Sequence, residues 1–252
     1  MPIRKVYSKM LKSDSMMKDE FLRHFIPRTK WLSPQAVHHM LDRYPTVFIK
    51  PDKGSRGRGI IRVELRQDGV YEVCHESTCK QVNKESLMDE ITDMIRPSRS
   101  YNIQQGIDLA DYKGRPFDIR VFMQKPKNDW QISGKVIRVA ARGQFLTNYH
   151  KGGKAATLER VFSRVLGDKD EVLQTQQAID QISYATAKVL DARFPGIRQL
   201  GLDIALDKAD RLWILEVNTS PAYYTFRKLR DKSMYREIRK NRRYIKKVYG
   251  GR

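Results

Sequence analysis

The sequence predicts an α+β protein of two lobes, and three observations lead there. The chain has 252 residues, enough for one large domain or two small ones, with 40% hydrophobic and 31% charged residues, ordinary usage for a chain that folds. Helical and strand-like segments are mixed along it, with no internal repeat and no low-complexity linker. The strand-like segments form two groups that meet near Gln105-Gly106.

Taken in order, residues 6–24 have helical character, broken by Ile26-Pro27. Ser33-Pro34 starts a helix, with Ser as N-cap and Pro in the first helical position; it ends near Arg43, before Tyr44-Pro45. Val47-Phe48-Ile49 opens a strand, a glycine-rich loop occupies 54–59, and residues 60–65 form the next strand. A turn at Gln67-Asp68-Gly69 leads to a strand over 70–74. Leu87, Met88, Ile91, Met94 and Ile95 mark an amphipathic helix. Strands follow at 101–105, 117–124 and 130–140. Val172, Ile179, Ile182, Val189 and Leu190 line one stripe of a long helix over about 170–193. Strands 202–206 and 212–218 complete the core. The implied organisation is a helical lead (1–45), a small lobe with the glycine loop (46–105), a large lobe (106–226) and a basic C-terminal helix (227–252).

The 49 Lys and Arg residues outweigh 29 Asp and Glu, a net charge of +20 that attracts something anionic. Residues 227–252 hold twelve Lys or Arg against Asp231 and Glu237. Met234, Tyr235, Ile238, Ile245, Val248 and Tyr249 recur there at helical spacing. That helix either packs one stripe on its own domain or serves as a tail for a polyanion or partner chain. The longest stretch without Asp, Glu, Lys or Arg runs from Trp31 to Leu41, far short of the roughly 20 apolar residues of a membrane span. No secretory signal is visible. Two cysteines exclude a disulfide-rich scaffold and suit a reducing compartment. Cys74, His75 and Cys79 offer three zinc ligands but no convincing fourth.

The most informative segment is Phe48-Ile49-Lys50-Pro51-Asp52-Lys53-Gly54-Ser55-Arg56-Gly57-Arg58-Gly59. Glycines admit close phosphate approach, and successive N–H groups can cradle it. The order G-x-x-G-x-G, flanked on both sides by β-branched residues, fits neither a P-loop nor a Rossmann turn and joins strand to strand. It reads as a plain glycine hairpin or as a phosphate cover. Lys50, a charge ending a buried-looking strand, favours the second, because a buried ammonium needs an anion.

A second segment runs from Gly201-Leu202-Asp203 to Leu215-Glu216-Val217-Asn218. Glu216 and Asn218 share a strand face. A two-residue turn at Lys208-Ala209 places Asp203 opposite Ile214, with Glu216 its diagonal neighbour; a three-residue turn would send Asp203 to the wrong face. Three hard oxygen donors gathered this way suit Mg²⁺, the alternative being a solvated polar face. Arg120, on one face with Asp118, and Arg138, inside Val136-Ile137-Arg138-Val139-Ala140, are guanidinium groups within apolar strands. Each requires a partner: a phosphate, a substrate carboxylate, or an internal ion pair such as Arg120 with Asp118.

Loop and hairpin, in this order, resemble the ATP-grasp superfamily, and more closely its YheC/YheD-like, endospore-coat-associated members. The resemblance is carried also by Gln104-Gln105-Gly106-Ile107, Phe117-Asp118-Ile119-Arg120-Val121, Arg138-Val139-Ala140, Thr147-Asn148-Tyr149 with Lys151-Gly152-Gly153, and Asn218-Thr219-Ser220-Pro221. It covers about 31–226 and implies an ATP-grasp fold, two lobes with antiparallel sheets clamping a nucleotide. It implies a ligase that uses ATP and Mg²⁺ to activate an unidentified carboxylate as an acyl phosphate for attack by an amine or similar nucleophile. Lys50 would hold the α- or β-phosphate, and Gly54, Ser55, Gly57, Arg58 and Gly59 would close over the phosphates. Gln105 and Ile107 would meet the adenine, Asp118 the ribose or Arg120. Arg120, Arg138 and Asn148 would serve the transfer, and Asp203, Glu216 and Asn218 would hold the metal. The resemblance implies a cytoplasmic or spore-associated protein. Such ligases usually carry a further N-terminal domain, and only about 45 residues precede the first strand here. That points also to a second reading, a non-catalytic ATP-binding coat or assembly protein with a basic tail. Nothing in the sequence points to specific nucleic-acid recognition.

Overall fold

The computed structural model describes residues 1–54, 57–76, 78–142 and 153–250. They divide into two compact units: one of residues 7–10 and 27–107, the other of residues 1–6, 11–26 and 108–252. Residues 27–45 thus belong with the smaller unit rather than to a separate lead, and the C-terminal helix belongs to the larger.

The smaller unit is a six-stranded antiparallel sheet. Its strands are β1 (Thr29–Trp31), β2 (Thr46–Pro51), β3 (Ile61–Leu65), β4 (Tyr71–His75), β5 (Thr78–Val82) and β6 (Tyr101–Gln105), in the order β1-β6-β2-β3-β4-β5. Strand β2 alternates half-buried and buried, so Val47 and Ile49 face a core while Phe48 and Lys50 face away. That core is closed by α2 (Pro34–Leu41) and α3 (Leu87–Met94), through Val37, Met40, Leu87 and Ile91 against Ile61, Val63 and Ile103. Ser33 caps α2 as expected, its side chain accepting the Ala36 N–H at 3.1 Å. Ile49 pairs with Ile61, so the glycine loop joins two antiparallel neighbours.

The expectation of reduced cysteines is corrected. Cys74 and Cys79 face each other across β4 and β5 and form a disulfide, which leaves no thiol among the described residues. It also removes them as zinc ligands.

The larger unit is a five-stranded antiparallel sheet of β7 (Phe117–Gln124), β8 (Gln131–Val139), β9 (Lys154–Ala156), β10 (Gln199–Leu206) and β11 (Leu212–Asn218), ordered β11-β10-β7-β8-β9. One face packs on α4 (Leu158–Val165) and α5 (Lys169–Arg193), with Ile119, Val121, Ile137, Leu202 and Ile204 against Phe162, Ile179, Ile182 and Leu190. A helix, α1 (Lys9–Met17), and a 3-10 turn (Leu22–Phe25) replace the single helix expected over 6–24; Met16 and Leu22 join this core. The other face carries Phe122 and Val136, covered by Phe226, Leu229 and Ile238. The last of these lies on α6 (Ser233–Tyr249), which buries Ile238, Asn241 and Ile245 and leaves Val248 half exposed. The basic helix therefore packs a stripe on its own unit, with Arg236, Arg239, Lys240 and Arg243 on its exposed side. No helix among the described residues is long and apolar enough to cross a membrane.

Candidate functional site

Strand β7 is buried along its whole length, although it carries Asp118 and Arg120. Charges in such a place must be compensated. The compensation comes from neighbouring strands, because Arg120 stands opposite Asp203 and Asp118 opposite Arg138. Arg120 Nε lies 2.7 Å from Asp203 Oδ1, and its Nη2 donates to Oδ2 at 3.1 Å. Arg138 Nε donates to Asp118 Oδ1 at 2.6 Å, and its Nη2 reaches Asp118 Oδ2 at 2.5 Å and Asp203 Oδ1 at 3.0 Å. One fork-to-fork pair, Arg138 with Asp118, and one ion pair with a single hydrogen bond, Arg120 with Asp203, are joined through Asp203 into one buried lattice. The pair expected within β7, Arg120 with Asp118, is not the one formed; each Arg takes the carboxylate across the ladder.

The two guanidinium groups differ. Burial pulls Arg120 below its ordinary value, against the opposing pull of Asp203. Burial acts on Arg138 too, but Asp118 and Asp203 together outweigh it and hold the group above its ordinary value. Both remain cations. Arg120 is the less compensated, and its Nη1 is buried without a hydrogen-bond partner.

Asp203 and Glu216 are direct cross-strand neighbours, and Asn218 stands opposite Gly201 on the same face. This corrects the expected register. The turn has three residues, not two: Asp207 N–H donates to the Arg211 carbonyl at 3.0 Å, with Asp210 at φ +57°. A regular ladder from that turn would put Asp203 across from Leu215, on the wrong face. A bulge intervenes: Ile204 pairs with Ile214, but Asp203 pairs with Glu216. The trio thus shares a face, by a route that turn-counting alone misses. Three adjacent oxygen-bearing side chains fit a hard cation such as Mg²⁺. Asp203 is engaged by both arginines; Glu216 and Asn218 are half-buried.

In the smaller unit, Lys50 is half-buried rather than isolated in a core, and its Nζ donates to Gln104 Oε1 at 2.5 Å. Gln104 in turn donates to Thr29 Oγ1 at 3.1 Å. Asn102, across from Lys50, is 2% exposed, and its Nδ2 has no hydrogen-bond partner. Gly57 and Gly59 adopt φ +67° and +71°, which L side chains avoid, and a Cβ added at Gly59 would lie 3.3 Å from Pro51 Cγ. Gly54 and Arg58 are exposed. Gln105 ends β6 with its N–H donated to the Arg28 carbonyl and its Oε1 accepting the Arg28 N–H, so both groups are engaged by backbone; Ile107 is half-buried. Ser55 and Asn148 lie outside the described residues.

Asn102, the pairing of Gln104 with Lys50 and the role of Gly201 do not follow from the sequence patterns. An added Cβ at Gly201 would lie 2.5 Å from Arg120 Nη1 and 2.5 Å from Pro221 Cβ. The glycine of Gly201-Leu202-Asp203 is therefore what admits the Arg120 guanidinium. An isolated glycine in an otherwise strong strand was the available signal.

A family model described as "YheC/D like ATP-grasp" matches residues 4–246. The chain is 27% identical over 218 residues to the endospore coat-associated protein YheD of Bacillus subtilis, covering 83% of this chain and 47% of that protein. It is 27% identical over 210 residues to YheC of the same organism, 82% of this chain and 57% of the relative. A tetrahydromethanopterin:alpha-L-glutamate ligase of Methanococcus maripaludis is 26% identical over 208 residues, 79% and 54% of the two chains. The chain thus spans about half the length of these curated relatives. Among solved structures, D-cycloserine synthetase DcsG superposes with a TM-score of 0.56 at 9% identity, covering 94% of this chain and 70% of its own. The ATP-grasp ligase PsnB, complexed with a phosphomimetic variant of a minimal precursor, Mg and ADP, gives 0.51 at 14% identity, with 93% and 58% covered. With a model spanning nearly its whole length and a fold shared with such ligases, this chain belongs to the YheC/D-like ATP-grasp family.

Proposed function

We propose that the chain is a Mg-ATP-dependent ligase that activates a carboxylate for attack by an amine or a similar nucleophile. The observation that carries the reading is the buried lattice of Arg120, Arg138, Asp118 and Asp203, bordered on one sheet face by Glu216 and Asn218. Two guanidinium groups held rigid by carboxylates are prepared to meet negative charge without reorganising. A carboxylate oxygen attacks the γ-phosphorus of ATP, giving an acyl phosphate and ADP. The amine then attacks the carbonyl, forming an amide and releasing phosphate and a proton.

In this reading Arg120, the less compensated cation, faces the phosphoryl or acyl phosphate oxygens, and Arg138 holds the lattice in place. Asp118 anchors Arg138 instead of touching ribose. Glu216 and Asn218, with Asp203, would hold Mg²⁺, which neutralises phosphate charge when bound. Lys50 and the glycine loop would hold the triphosphate in the smaller unit, with Gln105 and Ile107 toward the base. Ser55 and Asn148 keep the roles that the resemblance gives them. The naming of one relative as a glutamate ligase supports the reaction class. Incubation with ATP, Mg²⁺, a panel of carboxylic acids and an amine tests it: ADP and phosphate in equal amounts, dependent on both acid and amine, are expected.

A second reading is favoured by the relatives named as endospore coat-associated. The chain would then be a nucleotide-binding module of a spore-associated assembly, binding ATP without turnover. Saturable ATP binding with no ADP formed across the panel would select it.

A further inference from the structure

Residues 8–10, which open α1 and belong to the smaller unit, are tied to the ascending limb of the glycine loop, more than forty residues away in sequence. Ser8 Oγ donates to Asp52 Oδ1 at 3.0 Å, and the Met10 N–H donates to the same oxygen at 2.9 Å. The Lys9 N–H donates to the Asp52 carbonyl at 3.2 Å. Asp52 is only 4% exposed, so these bonds are shielded from water. The Lys9 ammonium then donates to three main-chain carbonyls: Pro51 at 2.8 Å, Asp52 at 3.3 Å and Gly54 at 3.3 Å.

This arrangement fixes the direction of peptide planes. In a trans peptide the C=O and the following N–H point opposite ways. Carbonyls of Pro51 and Asp52 turned toward Lys9 turn the N–H groups of Asp52 and Lys53 away from it; that of Asp52 meets the Ser100 carbonyl at 2.9 Å. Beside glycine a peptide flips at little cost. A flipped peptide would present a carbonyl oxygen, which repels phosphate, where a cradle needs N–H donors.

We propose that Lys9 is a positioning residue of the phosphate loop: by gathering the carbonyls of Pro51, Asp52 and Gly54 it fixes the peptide planes at the start of the loop, so that the Lys53 N–H stays turned away from it and toward a nucleotide's phosphates. The assignment rests on the nucleotide-binding reading above. It concerns the phosphates alone, so the base and ribose should be indifferent to it.

The test uses the full chain with Lys9→Met, which keeps the aliphatic stem and removes the donors, and Lys9→Arg, which restores them. Calorimetric titration with ATP, ADP and adenosine is expected to show ATP and ADP weakened about tenfold or more in Lys9→Met. Adenosine affinity should be unchanged, and Lys9→Arg should recover part of the loss. Equal weakening of all three ligands, or none, overturns the proposal. If Lys9→Met does not fold, Ser8→Ala must show the same phosphate-only loss, two- to threefold, or the proposal falls. If the wild-type chain binds no nucleotide, the functional reading fails and the brace is judged by amide exchange. Lys9→Met should then speed exchange at Asp52 and Met10 about tenfold and leave Ile49 and Ile61 unchanged; unaltered exchange at Asp52 and Met10 overturns it.

Discussion

Asp203 faces Glu216 because Leu215 is left out of the ladder between β10 and β11. The three-residue turn moves the partner of Asp203 by one position, from Ile214 to Leu215, and the bulge moves it one further, to Glu216, which restores the face. A slip of one residue would move the carboxylate to the opposite face of the sheet. The hairpin's register, and not only its composition, decides whether β10 and β11 bring these oxygen donors to one face.

The turn depends on Asp207. Its carboxylate accepts N–H groups of Ala209 and Arg211 at 2.9 Å each, and the Trp213 indole N–H at 2.7 Å. Asp207→Ala should cost about 1 kcal/mol, chiefly through the partly buried Trp213 indole N–H, since the exposed Ala209 and Arg211 N–H groups take up water; denaturant unfolding reads it. Metal-dependent nucleotide binding should weaken with it; retention of both would show that the register is held elsewhere.

Asp118→Ala removes the fork partner of a buried cation. Breaking such a pair on one side costs about 3–5 kcal/mol, whereas replacing both partners by apolar groups is often close to neutral. Asp118→Ala should therefore be severely destabilised, and Asp118→Leu combined with Arg138→Met should recover most of the loss in urea unfolding. The double variant should remain inactive, since the lattice is gone.

Gly201→Ala places a methyl group against Arg120 Nη1 and Pro221. Overpacking of this kind costs about 1–3 kcal/mol. The Arg120 side chain is the movable neighbour, so activity should fall more than stability. A Gly201→Ala protein with wild-type turnover would remove Arg120 from the reaction.

The disulfide between Cys74 and Cys79 closes a short loop, a constraint of about 2 kcal/mol on the unfolded chain in the entropy account. Alkylation of the native, non-reduced chain should label neither cysteine. Reduction should lower the unfolding midpoint of the smaller unit by a matching amount and leave ATP binding unchanged.

Much of this was legible in the sequence, and the gaps have physical causes. The glycine hairpin, β7, the long helix and the hairpin at 199–218 stood out because their patterns are strong and periodic. Strand β5 was missed because Thr78–Val82 is almost entirely exposed and polar, so no alternation marks it. The short strands β1 and β9 give three residues each, too few for a period to show. Both arginines were identified as needing partners, but the choice between Asp118 and Asp203 depends on cross-strand register, which is tertiary information. Lys9 and Asp52 meet across more than forty residues, and neither carries a local signal.

If the face of Asp203, Glu216 and Asn218 holds Mg-ATP, both the cation and the Glu216 carboxylate must matter to nucleotide binding. Calorimetric titration of ATP into the full chain, with and without Mg²⁺, for wild type and Glu216→Gln, tests it most directly. Saturable, Mg²⁺-dependent binding by wild type, weakened at least tenfold in Glu216→Gln at unchanged thermal stability, is the predicted result. Binding indifferent both to Mg²⁺ and to Glu216→Gln, or no binding by the wild-type chain, would strip these three residues of a metal-nucleotide role.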